Sequence, residues 1–394
     1  MKILVANLGS TSFKFRLFDM SSGAQTARGG IERIGQSSSP WFVEMDGKRH
    51  EGESAIGDHG DAVRLTLDML TDPDNGCLAD ADEVSAIGFK AVHGGRYSGV
   101  QRVTDDVLLA MEEMNDVAPA HNPPYIAAMR LLAQRFPDLP LVAAFETGFH
   151  QTIPHGWAHY GVPYHWATQY GIRRWGFHGA SHRYIAERSA ELSGRTDLRV
   201  VSCHLGGSSS LCAIASGKSL ATSMGMSPQS GLLHNNRAGD FDPFALPVLM
   251  RASGKSLEAV LSELATQSGL LGLSGVSGDV RDLESEARSG NERARLALDV
   301  FVADIRRHLG SMLVALGGAD WIVFTGGIGE HGVHIREAAC SGLDELGIVI
   351  DPARNRDASG ESCISAPESR TEVWVVPTNE EWVVARQVQA LLEE

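Results

Sequence analysis

The stretch I-L-V-A-N-L-G-S-T-S-F-K-F-R-L-F, residues 3–18, opens with a β-rich run that ends at Asn7. Gly9, Ser10, Thr11 and Ser12 then supply turn chemistry, and residues 13–18 alternate apolar and polar as a half-buried strand does. The stretch is therefore a β-hairpin with a Gly/Ser tip. The same design returns at V-V-S-C-H-L-G-G-S-S-S-L-C-A-I-A, residues 200–215, with its tip at Gly206, Gly207, Ser208 and Ser209. A polar residue precedes each tip, Asn7 in the first and His204 in the second. Each return strand ends at a Ser-Gly turn, Ser22-Gly23 and Ser216-Gly217. Two hairpins of one design about half a chain apart point to a duplicated domain.

Outward from the hairpins, residues 61–70 and 125–136 have helical spacing, the second started by Asn122-Pro123-Pro124. Residues 139–144 read as a buried strand and 182–192 as a helix. Beyond the second hairpin the longest helical stretch covers residues 291–316. A buried strand over 321–325 runs into Gly326-Gly327-Ile328-Gly329, followed by a helix expected near 334–346. A last strand, 373–376, and a closing helix, 380–392, complete the pattern. Strands alternating with helices mean an α/β protein with mixed sheets. A chain of 394 residues is too long for one comfortable core and suits two sizeable domains.

Composition bounds the function. The hydrophobic fraction is 43%, ordinary for a globular protein, and no apolar run approaches the ~20 residues that span a bilayer. The start, M-K-I-L-V-A-N-L-G, breaks at Asn7 and Gly9, too early for a secretory signal, so a cytoplasmic location is expected. Cys77, Cys203, Cys212, Cys340 and Cys363 are odd in number and lack a C-x-x-C, which fits free thiols in a reducing compartment. A net charge of −15 argues against nucleic-acid and anionic-membrane partners. It leaves anionic small substrates open, because local basic residues decide those.

Several segments carry residues suited to phosphate chemistry. Backbone N–H groups in a tight Gly/Ser turn form an anion-binding concavity, and Lys14 lies on the same strand face as Ser12. F-T-G-G-I-G-E, residues 324–330, runs from a buried strand through glycines into a helix, a way to admit a nucleotide closely. Each also has a plain structural reading, as a polar turn or a tight strand-to-helix connection. Glu146 and Glu380 suit magnesium, which takes a few carboxylates plus phosphate and water oxygens; Glu380 equally suits a helix start. No H-x-x-x-H helix or clustered Cys/His set suggests a protein-bound transition metal, and no G-x-S-x-G supports a hydrolase nucleophile.

Taken in order, these segments resemble the acetate and propionate kinase family of the actin, sugar kinase and Hsp70-like superfamily. N-L-G-S-T-S-F-K and H-L-G-G-S-S-S are similar to its two phosphate signatures. V-H-G-G, H-N-P, F-H-Q-T-x-P, G-F-H-G-x-S-H, T-S-M-G-x-S-P, G-V-S-G-D-V-R-D, F-T-G-G-I-G-E and P-T-N-E-E follow in family order over nearly the whole chain. The resemblance implies duplicated actin-like (ribonuclease H-like) domains, an active site in the cleft between them, and a homodimer. The domains would cover residues 1–149, with 381–394 packing back on the first, and 150–380.

It further implies reversible phosphorylation of a short carboxylate by ATP, with magnesium or manganese. Asn7, Ser10, Ser12 and Lys14 would lie near the phosphates, and Asn7 and Glu380 near the ion. His178 would bond the phosphoryl group in flight, Arg237 would bind carboxylate and phosphate, and His121 and His204 would contact phosphate. Gly206, Gly207 and Ser208 would form the second phosphate turn. Asp279, Val280 and Arg281 would approach the adenosine, with Gly327 and Ile328 as the other wall. Val92, Ala120, Phe177 and Pro228 would line the acyl pocket.

The chain departs from the family pattern at motif positions. Lys90 replaces an arginine and Glu146 an aspartate, a pair that reads as a coupled change in the catalytic set. H-L-G-N-G becomes H-L-G-G-S, giving Gly207 and Ser208, and the M-G-T before Arg237 becomes His234-Asn235-Asn236. Ala120 stands where acetate kinases carry leucine, which would admit a larger acyl group, worth about 1–3 kcal/mol of discrimination per methylene. A kinase for a larger or modified carboxylate, or a nucleotide-binding paralogue with little turnover, are the alternatives. A sugar or polyol kinase would need an acid as base for a hydroxyl, whereas Arg237 suits a carboxylate.

Overall fold

The computed structural model describes residues 1–119 and 121–394. The chain forms two compact units: residues 1–148 with 379–394, and residues 149–378.

In the first unit, among the described residues, eight strands lie in the order β5-β4-β3-β2-β1-β6-β8-β7. They are β1 (Lys2–Leu8), β2 (Phe13–Asp19), β3 (Ala24–Ile31), β4 (Ser39–Met45), β5 (Lys48–Ser54), β6 (Val84–Ala91), β7 (Val100–Arg102) and β8 (Leu141–Phe145). β1 pairs antiparallel with β2, Asn7 opposite Lys14, and parallel with β6, which pairs parallel with β8. β1 is apolar on both faces because both are covered. Leu4 and Ala6 join one core with Phe89, Tyr125 and Met129; Ile3 and Val5 join another with Val384 and Val388 of the Glu380–Glu393 helix. That second core ties the end of the chain to the first sheet.

The second unit repeats the core pattern. Among the described residues its sheet runs β11-β10-β9-β12-β14-β13, with β9 (Arg199–His204), β10 (Ser210–Ala215), β11 (Lys218–Thr222), β12 (Trp321–Thr325), β13 (Ser362–Cys363) and β14 (Glu372–Val375). β9 pairs antiparallel with β10 and parallel with β12, and β12 pairs parallel with β14. The order β11-β10-β9-β12-β14 thus matches β3-β2-β1-β6-β8, so the duplication hinted at by two hairpins is present in the connectivity. The Glu292–Leu316 helix starts where Asn291 accepts from the N–H groups of Arg293 and Ala294, and stops at Gly317, φ 65°. Its buried stripe of Ala294, Ala297, Phe301, Ile305, Leu309 and Met312 follows helical spacing, and each large side chain there contributes about 1.5–3 kcal/mol.

Several boundaries differ from the sequence expectation, among them the helices expected over 61–70 and 182–192, which are His59–Leu70 and Gly179–Ser193. The helix expected over 334–346 is Val333–Cys340, because Gly342 takes a left-handed φ of 65° and turns the chain into a short 3₁₀ segment, Asp344–Leu346. The helix expected from 125 begins at Asn122, with prolines in its first turn where no N–H is needed. The strand expected from 139 begins at Leu141, after Pro140. No helix among the described residues is long and apolar enough to cross a membrane.

Candidate active site

In the first unit, the Gly9–Ser12 turn places Ser10 and Ser12 at the hairpin tip. Gly9 N–H donates to Ser12 O at 2.9 Å, and a Cβ on Gly9 would collide with the Ser12 hydroxyl. His59 Nε2 lies 2.9 Å from Gly9 O and holds the tip from outside. Lys14 is exposed and faces Glu32 at 3.5 Å. Asn7 is fixed by a residue that motif reading did not single out. The Tyr125 hydroxyl donates to Asn7 Oδ1 at 3.0 Å and accepts from Leu8 N–H at 3.2 Å, and burial raises its pKa to about 12.

Lys90, on β6, donates to Glu380 Oε2 at 2.6 Å. Burial works against its charge, but the carboxylates of Glu380 and Glu146 outweigh it and hold the ammonium well above the usual lysine value. The direct partner of Lys90 is therefore Glu380, and buried Glu146 acts on it through space. Glu380 also opens the closing helix, where the dipole favours a carboxylate. His121 caps the Asn122–Arg135 helix through its backbone, and Val92 is half-buried after β6. Ala120 lies outside the described residues.

The second unit carries a histidine–serine network. His178 sits at the start of the Gly179–Ser193 helix with a left-handed backbone, φ 56° and ψ 30°, sparsely populated for a residue with a side chain. Its Nδ1 is 2.8 Å from Ser210 Oγ, and the same hydroxyl is 2.8 Å from His182 Nε2. His182 Nδ1 is 2.8 Å from Ser202 Oγ. His204 closes the second tip opposite Ser210; its Nδ1 meets Ser181 Oγ at 2.8 Å, and its ring lies 4.3 Å from that of His178. Burial drives the His182 pKa well below the ordinary value, so it stays neutral. Phe177, buried beside His178, has its carbonyl held by His150 Nε2 at 2.9 Å.

A cavity of about 520 Å³ in the same unit is lined by Gly206, Gly207, Asp279, Val280, Arg281, Gly327 and Ile328, together with Asn235. Asp279 caps the Val280–Arg288 helix and pairs with Arg281 at 2.5 Å. Gly326 must be glycine, with φ 76° and Leu205 O only 2.8 Å from where a Cβ would stand. Fully buried Arg336 bonds Gly329 O and Glu330 O at 2.9 and 2.8 Å, anchoring the short Gly326–His331 helix that presents Gly327 and Ile328. Ser208 lies 3.5 Å from Arg237 Nη1, which also donates to Pro228 O at 3.3 Å. No acid among the described residues pairs with Arg237, and burial lowers its pKa.

The Acetokinase family pattern matches residues 2–386 of the chain. The chain belongs to the acetokinase family. It is similar to the acetate kinase of Geobacillus kaustophilus, 42% identical over 393 residues and 99% of each chain, and to that of Bacillus subtilis at 41% over 393 residues, again 99% of each. Its structure is similar to the Porphyromonas gingivalis acetate kinase, TM-score 0.90 at 38% identity with 99% of each chain covered. The Francisella tularensis propionate kinase gives the same TM-score at 33% identity and 98% coverage of each chain. This acetokinase is accordingly a phosphotransferase with an acetate-like carboxylate as acceptor, built on duplicated actin-like domains.

Motif reading did not single out Tyr125 in the first unit or Ser202 in the second, and it gave no role to His182, Ser210 and Asn235, which lie inside segments it quoted. One signal was available: the H-x-x-x-H spacing of His178 and His182 puts both on one face of a helix start. Both rings turn to Ser210, and no set of three His, Cys, Asp or Glu among the described residues could hold a metal.

Proposed function

We propose that this acetokinase transfers the γ-phosphoryl group of ATP to a short carboxylate, in line and reversibly. One carboxylate oxygen forms the new P–O bond, the bond from γ-phosphorus to the β,γ-bridging oxygen breaks, and ADP leaves with that oxygen's charge. The acceptor is already an anion, so no protein base is required. The observation that carries the assignment is Arg237: a half-buried guanidinium with a hydroxyl and a carbonyl as neighbours and, among the described residues, no carboxylate partner. A cation of this kind is matched by an anionic ligand, and its planar fork suits carboxylate and phosphate.

His178 would bond the phosphoryl oxygens. The network is compatible with a proton arrangement that suits this role. In it Ser202 O–H donates to His182 Nδ1, His182 Nε2–H to Ser210 Oγ, and Ser210 O–H to His178 Nδ1. His178 then keeps its proton on Nε2, as a donor. His182 and Ser210 are positioning residues. Ser10, Ser12, Lys14, His121, His204, Gly206, Gly207 and Ser208 would bind phosphate. The 520 Å³ cavity would take the adenosine.

The metal donors on offer are oxygens, the Asn7 amide and the Glu380 carboxylate, which fit a magnesium or manganese ion that takes its other ligands from nucleotide and water. Bound there, the ion would neutralise phosphate charge. Val92, Phe177 and Pro228 would shape the acyl site. Exposed Trp157, Tyr164, Tyr170, Phe244 and Val248 of the second unit would bury themselves in a homodimer, which light scattering would detect as twice the chain mass.

The test is acyl-phosphate formation from ATP and magnesium, trapped as hydroxamate, across acetate, propionate, butyrate and branched acids. Turnover on at least one acid is expected, with Arg237→Gln raising the carboxylate KM by about tenfold or more. No product from any acid would reject the assignment.

A further inference from the structure

We propose that Asn235 is a nucleotide-binding residue of this chain, its side-chain Nδ2 donating a hydrogen bond to the polyphosphate. The proposal rests on the kinase function above and adds a ligand contact to it. Asn235 lines the 520 Å³ cavity next to Gly207. Its backbone is locked: its N–H donates to Gly207 O at 3.0 Å, and its carbonyl accepts from Leu271 N–H at 2.8 Å. Gly278 packs so closely on the other side that a Cβ there would come within 2.6 Å of that carbonyl oxygen.

The amide orientation is set as well. Oδ1 accepts from Asn236 N–H at 2.9 Å, so Nδ2 is turned toward Gly207, 3.6 Å from where a Cβ on that glycine would stand. No described residue accepts from Nδ2. Two N–H donors are thus presented beside the Gly206-Gly207 turn, on a frame that needs no rearrangement to use them. Peptide N–H groups of such a turn suit phosphate oxygens, and a neutral amide adds donors to the same anion without added charge.

The two motif departures become a single exchange in three dimensions. The family pattern has asparagine at position 207 and glycine at 235; this chain has glycine at 207 and asparagine at 235, and the two positions face each other. One carboxamide therefore enters the same space from the opposite loop. Asparagine at both positions would bring two carboxamides to one space, since a Cβ on residue 207 would stand in ordinary contact with Nδ2.

The experiment uses the full-length protein, with ADP and adenosine titrated calorimetrically into wild type, Asn235→Gly, Asn235→Asp, Gly207→Asn and the double variant Gly207→Asn/Asn235→Gly. Loss of one neutral hydrogen bond predicts ADP binding about three- to tenfold weaker for Asn235→Gly, with adenosine binding changed by less than about twofold. Asn235→Asp keeps the size, replaces the donor by a negative charge, and should weaken ADP further. Gly207→Asn alone should bind worse than wild type, and the double variant should return to within about twofold of it, a coupling that a merely structural role would not produce. The proposal is overturned if Asn235→Gly and Asn235→Asp both bind ADP as wild type does. It is equally overturned if adenosine affinity falls as much as ADP affinity, or if the double variant is no better than the singles. Wild-type protein that binds no ADP and forms no acyl phosphate would instead remove the kinase function on which the proposal stands.

Discussion

Ser210→Ala tests whether His178 is held through its serine. One hydroxyl, fully buried, lies 2.8 Å from both His178 Nδ1 and His182 Nε2. Removing it deletes two hydrogen bonds of about 0.5–1.5 kcal/mol each and withdraws the partner of a buried nitrogen, worth about 1–3 kcal/mol. Stability should therefore fall by roughly 2–6 kcal/mol, read as a lower urea midpoint. The catalytic effect is separate. If the serine keeps the Nε2 proton of His178 aimed at the phosphoryl group, its loss forfeits one bond to a charged group, about 1.5–3 kcal/mol, or roughly 10- to 150-fold in kcat. Hydroxamate assays at saturating ATP and carboxylate give kcat, with KM for ATP expected within about threefold of wild type. Ser210→Cys, which keeps a weak donor, should fall between the two. A Ser210→Ala protein that is destabilised yet turns over at the wild-type kcat would refute the positioning role and leave the serine a packing residue.

Acid should destabilise the protein in a defined window. Burial depresses His93 and His150 to about 4, against 6.5 for the free side chain. The unfolded chain therefore binds more protons between about pH 4 and 6.5, so the stability is complete above that window and lost as pH falls through it, by about 3 kcal/mol per histidine. A urea midpoint that stays flat from pH 7 to 4.5 would contradict this. Lys90→Met removes the ammonium beside the Glu380 and Glu146 carboxylates and should cost about 3–5 kcal/mol of stability as well as activity. Lys90→Arg combined with Glu146→Asp should retain or raise turnover, and a double variant no better than either single one would end the idea of a coupled change. Cys203, Cys212 and Cys340 are buried, with Cys212 and Cys340 pushed up to about 12 by desolvation. A thiol reagent should thus reach only Cys77 and Cys363 before unfolding; fast reaction of a third thiol would show the second core to be open.

Much of the architecture was legible because it is written in short-range chemistry. A Gly/Ser tip between two β-rich runs specifies each hairpin, and the observed register puts Asn7 opposite Lys14 and His204 opposite Ser210. Strand–glycine–helix at residues 321–331 and the Asp279 cap need only neighbours a few residues away. Helix ends were less legible: Gly342 looked like one more helical position, and only its left-handed φ shows the break. The order of motifs was enough to name the family and to nominate residues lining the cavity.

The sequence alone could not pair residues that meet only through the tertiary fold. Lys90 finds Glu380 across 290 residues because the closing helix packs on the first sheet. His178 and His182 converge on Ser210 because the Gly179–Ser193 helix packs against β9, beside which β10 carries that serine. Gly207 and Asn235, far apart in the sequence, face each other because a backbone hydrogen bond brings their loops together. Local spacing dictates which face a side chain takes. Which partner it meets there is set by how separately folded segments bury their apolar faces, and those long-range contacts leave no periodic trace in the chain.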